Sequence, residues 1–313
     1  MADDIHPADR RAFLLAGLSK SSKLVEVGPS YNPLVPKRDG WNTFIIDHAS
    51  REDLVAKYEI HAKAIDVIEE VDFIWRGGSL ADALPEDQRG TFDAFIASHV
   101  IEHTPDIVTF LQAARTVVRP DGLVILAVPD KRKCFDFYRH PSSTADAVVA
   151  FEERRDRHEL RTHIEYSIRT VLKGGMPAWF DTDTRPVEII KGLDDLPITL
   201  SLRFNNDYVD AHNWIFVPSS FRLMMLELGQ TGYIDLEVDE LVERPDTEFL
   251  VRMRPGFRKL DLPELQARRR ALSDQILIEI AEQTRQIEGA PLYVASQPPP
   301  PPRPRRRWWQ RGA

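Results

Sequence analysis

The stretch Ser98–Asp106, "SHVIEHTPD", places His99, Glu102 and His103 at i, i+3 and i+4, a spacing that brings all three to one side of a helical turn. Two imidazoles and a carboxylate so placed can hold a divalent metal or move a proton. A histidine in the first position suits magnesium poorly. The expectation is therefore a pocket floor that holds no metal, with Glu102 capping neighbouring backbone groups. Proton transfer is work for a histidine, whose pKa lies near neutrality. His103 is the first candidate for a general base, followed by His99, by His212 in "DAHNWIF", and by Asp130 after the run "LVILAVPD".

A second stretch, "LVEVGPSYNPLVP" (Leu24–Pro36), reads as a strand entering a loop built to hold a ligand. Asp47 ends the next apolar run, "NTFIID". An acidic residue about twenty positions after such a glycine, here Gly28, can accept both hydroxyls of a ribose. A nicotinamide dinucleotide also needs glycines that let the backbone approach its pyrophosphate. Pro29, Ser30 and Asn32 stand in that region instead, so no phosphate cradle is present. A ribosyl ligand without phosphates fits better, and S-adenosylmethionine is the common one.

The elements that position these residues follow from the hydrophobic pattern. "KLVEVG", "NTFIID", "VDFIW", "FDAFIAS" and "LVILAVPD" are strands, with "REDLVAKYEIHAKAI" and "PDIVTFLQAARTVV" as helices between them. In the second helix Thr104 is the expected N-cap and Pro105 lies in the first turn. Nearly continuous apolar strands separated by helices imply a parallel sheet covered on both faces, a doubly wound α/β domain that binds ligands at the carboxyl ends of its strands. "PSSFRLMMLELG" is a helix ending at Gly229. "YIDLEVDELVER" and "TEFLVRMRP" form an antiparallel pair at the sheet edge. The domain spans 23–255, with a helical and irregular insertion at 131–213. A helical segment (1–22) precedes it and a helix (256–290) follows, with Leu265, Leu272, Ile276 and Ile280 packed on the body or on a partner.

With 313 residues, 42% of them hydrophobic, the chain can bury one large core. No run approaches the ~20 apolar residues that span a bilayer. A single cysteine, Cys134, and a polar N-terminus fit a reducing, cytoplasmic setting. The net charge of -8 argues against nucleic acid as a partner. The tail at 291–313 is proline- and arginine-rich with Trp308 and Trp309; it is expected to be disordered and to touch an anionic membrane. In the insertion, Trp179, Phe180, Arg185, Arg203, Tyr208 and Trp214 mix rings with guanidiniums, as sugar-binding surfaces do, and Lys131, Arg132 and Lys133 would face an anionic acceptor or solvent.

The segments quoted above, with "HNWIFVPSSFRLMMLELG", resemble the class I S-adenosylmethionine-dependent methyltransferases, and in particular a bacterial branch associated with polysaccharide biosynthesis. The resemblance covers roughly Leu24 to Met253 and is most specific from Phe92 to Pro129. It implies a seven-stranded Rossmann-like sheet whose last strand is antiparallel. It also implies that Glu26, Gly28, Pro29, Ser30 and Asn32 form the methionine-facing loop, with Asp47 on the ribose and His48 beside the adenine. Gly78, Ser79 and Leu80 would border the adenine, and Ser98 and His99 the sulfonium. The expected activity is O-methylation of a sugar, glycan or other small acceptor, with a non-catalytic cofactor-binding protein of the same fold as the alternative.

Overall fold

The structure is a computed structural model that describes residues 7–59, 64–205 and 207–292. The tail from residue 293 onward lies outside the described residues, as do residues 1–6. Helix α1 (Pro7–Leu14) leads into strands β1 (Leu24–Val27) and β2 (Thr43–Asp47), helix α2 (Arg51–Glu59), and strands β3 (Phe73–Ile74) and β4 (Phe92–Ser98). Helix α3 (Ile107–Val117) and strand β5 (Val118–Pro129) complete the first half. The insertion carries helices α4 (Thr144–Glu152) and α5 (Leu160–Arg169), strands β6 (Val171–Lys173) and β7 (Val187–Ile189), and helix α6 (Leu196–Ser201). Helix α7 (Pro218–Thr231), strands β8 (Leu236–Glu243) and β9 (Glu248–Pro255), and helix α8 (Leu262–Gln283) follow.

Seven strands form one sheet in the order β3-β2-β1-β4-β5-β9-β8, while β6 and β7 pair on their own. The pairs joining β3, β2, β1, β4 and β5 are parallel; β9 runs antiparallel to both β5 and β8. Side chains alternate across the pleat, so Val25, Phe95 and Ala97 enter one buried cluster while Leu24, Ala94 and Ile96 enter another. Both faces are thus covered, and the α/β doubly wound sheet stands.

The expected antiparallel pair closes one edge of the sheet: β9, buried along "EFLVRM", lies inside between β5 and β8, and β8, which exposes Asp239 and Glu240, is the edge strand. Three local expectations are corrected. Helix α3 starts later than expected, since the Asp106 carboxylate accepts from Val108 and Thr109 N–H at 2.9 and 3.0 Å, while the Thr104 hydroxyl turns back to the Ile101 carbonyl. Helix α7 runs past Gly229 to a left-handed Gly232. Gly229 is there for space, because a Cβ would stand 2.2 Å from the Phe257 ring. Strand β5 begins before the expected run "LVILAVPD": Val118 already pairs with Phe92, Leu123 with Ala94, and the residues between bulge out of the ladder.

The C-terminal helix packs on the body, against α7, with Leu265, Leu272, Ile276 and Ile280 half-buried. Its polar contacts are more specific than its apolar ones. The Glu279 carboxylate, 2% exposed, accepts from Ser219 N–H at 3.1 Å and Ser219 Oγ at 2.6 Å, satisfying donors at the N-terminus of α7. Gln283 bridges Lys131 Nζ and the Phe137 carbonyl, and Gln286 accepts from Lys173 and Trp179 of the insertion. Glu279→Ala leaves a buried helix-terminal N–H unpaired, so urea unfolding should show a loss of about 2 kcal/mol. Among the described residues no helix is long and apolar enough to cross a membrane.

Candidate active site

The first group of site residues lines the carboxyl ends of β1, β2 and β3. Gly28 (φ 60°) turns the chain out of β1, and a Cβ there would press on Val100 at 3.2 Å, so glycine serves both the dihedral and the close approach. Ser30 sits at φ 47°, an uncommon place for a residue with a side chain; its hydroxyl donates to Tyr58 of α2 at 2.9 Å. Pro29 closes the turn by accepting from Asn32 N–H at 2.8 Å. Glu26 works from behind the loop: its two oxygens accept from Leu34 and Val35 N–H at 2.6 and 3.1 Å.

Burial pushes the Glu26 carboxyl up to about 7, against the two backbone donors that favour its charged form. The folded protein therefore holds this proton more tightly than the unfolded chain between pH 4.5 and 7, and stability is lost as pH rises through that window. Relative to Glu26→Gln, the wild type should lose about 3 kcal/mol between pH 4.5 and pH 8, read by urea unfolding at each pH.

At the end of β2, Asp47 Oδ1 accepts from the His48 backbone N–H at 2.7 Å and lies 2.6 Å from His48 Nδ1. Oδ2 is buried and has no hydrogen-bond partner. The expected grip through both oxygens thus narrows to one free acceptor. A buried carboxylate oxygen left unpaired at this strand end is free to accept from a hydroxyl such as a ribose carries, so its chemistry fits an adenosyl ligand. Beyond β3, the Gly78 carbonyl (φ 72°) accepts from Trp75 Nε1, Ser79 opens a short turn, and Leu80 is buried.

The second group gathers on the turn after β4. His99 occupies the left-handed region (φ 54°), a strained conformation for histidine of the kind that clusters at functional sites. Glu102 is 1% exposed, and neither of its oxygens has a hydrogen-bond partner. It does not cap backbone groups, contrary to expectation. Instead three imidazole nitrogens surround Oε1: His99 Nδ1 at 3.6 Å, His103 Nε2 at 3.8 Å and His212 Nε2 at 4.0 Å. The Glu102 carbonyl accepts from Asn213 and Trp214 N–H, which ties the end of the insertion to this turn and delivers His212.

Each imidazole has its other nitrogen on an outer carboxylate. His99 Nε2 meets Glu248 at 2.9 Å, His103 Nδ1 meets Asp210 at 2.8 Å, and His212 Nδ1 meets Asp136 at 2.6 Å. Because carboxylates only accept, these contacts fix where each ring carries a proton. Arg10 of α1 and Arg244 hold Glu248, Arg139 holds Asp136, and the Tyr208 hydroxyl donates to Asp210. Burial would lower the pKa values of His99 and His103, but hydrogen bonding to Glu248 and Asp210, with the charge of Glu102, raises both. The same pairings pull Glu248 and Asp210 down to about 2.

His99, His103 and His212, three of the four base candidates, therefore converge on Glu102. Asp130 does not join them. It is fully buried, accepts from Arg132 through backbone and guanidinium and lies 3.4 Å from Lys133; those partners outweigh burial and hold it below the ordinary range. Lys131, Arg132 and Lys133 are likewise buried and paired internally rather than facing an acceptor or solvent. Trp179 and Trp214 are buried, donating to Gln286 and the Thr104 carbonyl, so neither offers a face to a sugar. Ser98 Oγ accepts from Arg10 at 2.8 Å. Asp136, Asp210, Glu248 and Arg10 were not foreseen.

Residues 6–181 match the family model described as a methyltransferase domain. The chain belongs to the methyltransferase-domain family. Over 71 residues it is 35% identical to the mitochondrial ubiquinone biosynthesis O-methyltransferase of Bos taurus, a match spanning 23% of this chain and 19% of that protein. Among solved structures, the CcbJ methyltransferase of Streptomyces caelestis aligns over 80% of this chain and 97% of its own at 12% identity, with a TM-score of 0.41. A putative zinc-dependent alcohol dehydrogenase of Rhodobacter sphaeroides aligns over 79% and 90% at 12% identity, with a TM-score of 0.43. At those scores neither likeness bears on what the methyltransferase domain acts upon.

Proposed function

We propose that the protein transfers a methyl group from S-adenosylmethionine to an oxygen of a small, hydroxyl-bearing acceptor. The observation that carries this reading is an adjacency: the unpaired Asp47 oxygen and the Glu102 cluster stand at the ends of β2 and β4, with only β1 and its Gly28 turn between them. The cofactor supplies a methyl already activated on a sulfonium, so much of the rate comes from alignment. Asp47 and the Gly28–Asn32 turn hold the adenosyl and methionine ends, and the strained His99 places the cluster beside the reacting centre. At that cluster the acceptor hydroxyl is oriented and gives up its proton. The similarity to the bovine O-methyltransferase supports oxygen as the acceptor atom.

Incubating the protein with methyl-labelled S-adenosylmethionine and a panel of sugars and hydroxylated aromatics tests the reading. Label in an ether-forming product of one panel member is the expected result. Cofactor binding without transfer to any hydroxyl would replace catalysis with a binding role.

A further inference from the structure

We propose that Glu102, His103 and His212 form a binding site for a divalent transition-metal ion of the zinc, cobalt or iron type. This deepens the function proposed above, because such an ion would hold the acceptor oxygen. One ligand atom from each of the three residues lies within 4.8 Å of the other two. Two ligands on one tetrahedral ion, each about 2.1 Å from it, stand roughly 3.4 Å apart. The separations are 3.8 and 4.0 Å from Glu102 Oε1 and no more than 4.8 Å for any pair, so closing on an ion takes side-chain shifts of about 1 Å.

Three features point to a cation rather than to a packed polar cluster. A carboxylate as buried as Glu102, with no hydrogen bond on either oxygen, is costly unless something positive completes it. The histidines are too far from it to bond directly, yet close enough to share an ion. Both are also built as metal ligands usually are: Asp210 and Asp136 each take the Nδ1 proton, which leaves the Nε2 lone pair toward Glu102. The two histidines come from different parts of the chain, one after β4 and one at the end of the insertion, and their rings stand perpendicular with centroids 4.7 Å apart.

Two imidazoles and one carboxylate favour transition ions over magnesium or calcium, which prefer oxygen ligands. A set of three protein ligands leaves coordination open. An acceptor hydroxyl filling that position would be held through its oxygen; as its O–H proton passes to solvent, that oxygen would bond the methyl carbon, the S–C bond of the sulfonium would break, and S-adenosylhomocysteine would leave. His99 stays outside the set, held to Glu248 by its Nε2.

The test strips the full-length protein with chelator and titrates Co2+, reading visible absorption and retained metal, with S-adenosylhomocysteine binding measured on the same samples. The expected result is one Co2+ per chain with nitrogen-type ligand bands, weakened at least about tenfold by Glu102→Gln and by His212→Gln, with cofactor-product affinity kept. Asp47→Ala should leave Co2+ binding unchanged. No specific Co2+ uptake by the wild type, or equal uptake by both variants, overturns the site. Loss of S-adenosylhomocysteine binding with Co2+ uptake intact would instead remove the methyltransferase reading and leave the metal site standing.

Discussion

Asp47→Ala should lower the affinity for S-adenosylhomocysteine at least about a hundredfold, or about 2.7 kcal/mol, while the protein stays folded. The size of the effect comes from the type of bond lost. Hydrogen bonds to a charged acceptor contribute about 1.5–3 kcal/mol each, more than neutral ones. Asp47 Oδ2 is buried without a partner, so the free protein bears a desolvation cost that the ligand hydroxyl relieves. Asp47 Oδ1 already serves His48, which makes the variant lose one local contact as well. Isothermal titration of both proteins, with thermal unfolding as a fold control, reads the difference. An affinity unchanged by the substitution would place the ribose elsewhere.

Glu102→Gln should cut the rate of methyl transfer by about a thousandfold and leave S-adenosylhomocysteine affinity within about threefold of wild type. The substitution keeps the shape of the side chain and removes its charge, which three histidines surround at 3.6–4.0 Å. Because Glu102 lies across β1 from the Asp47 end of the site, the loss should fall on turnover and not on cofactor binding. Single-turnover measurements with labelled cofactor separate the two. Equal losses in binding and turnover would mean that Glu102 supports the cofactor loop rather than the reaction.

Much of this arrangement was legible in the sequence because it is local. The Gly28 turn, Asp47 at a strand end, and the His99–Glu102–His103 spacing each lie within one strand and the loop after it, so periodicity and residue type were enough to place them. The errors came from competition between near-equivalent residues. Asp106 outcompeted Thr104 as N-cap, and Gly232 ended α7 where Gly229 had been expected, because Gly229 is required by the Phe257 ring. The antiparallel pair at the sheet edge was legible from its two apolar runs, and the burial of β9 along "EFLVRM" is what puts it inside and β8 outside.

What sequence could not show is the outer ring of carboxylates. Glu248 reaches His99 across 149 positions, Asp210 reaches His103 across 107, and Asp136 reaches His212 across 76. No local pattern encodes such pairings. The one available signal was an acidic residue in an otherwise apolar run, as with Asp136 in "CFDFY" and Glu248 at the head of "EFLV". Trp179 and Trp214 misled for the converse reason: their indole N–H groups find buried acceptors, so rings that resemble a sugar platform belong to the core.

The most direct measurement is a calorimetric titration of the purified, ligand-free protein with S-adenosylmethionine and S-adenosylhomocysteine. The account predicts that both bind at one site per chain, with micromolar affinity. A folded protein that gives no binding heat with either ligand, and shows no thermal stabilisation by them, would contradict it.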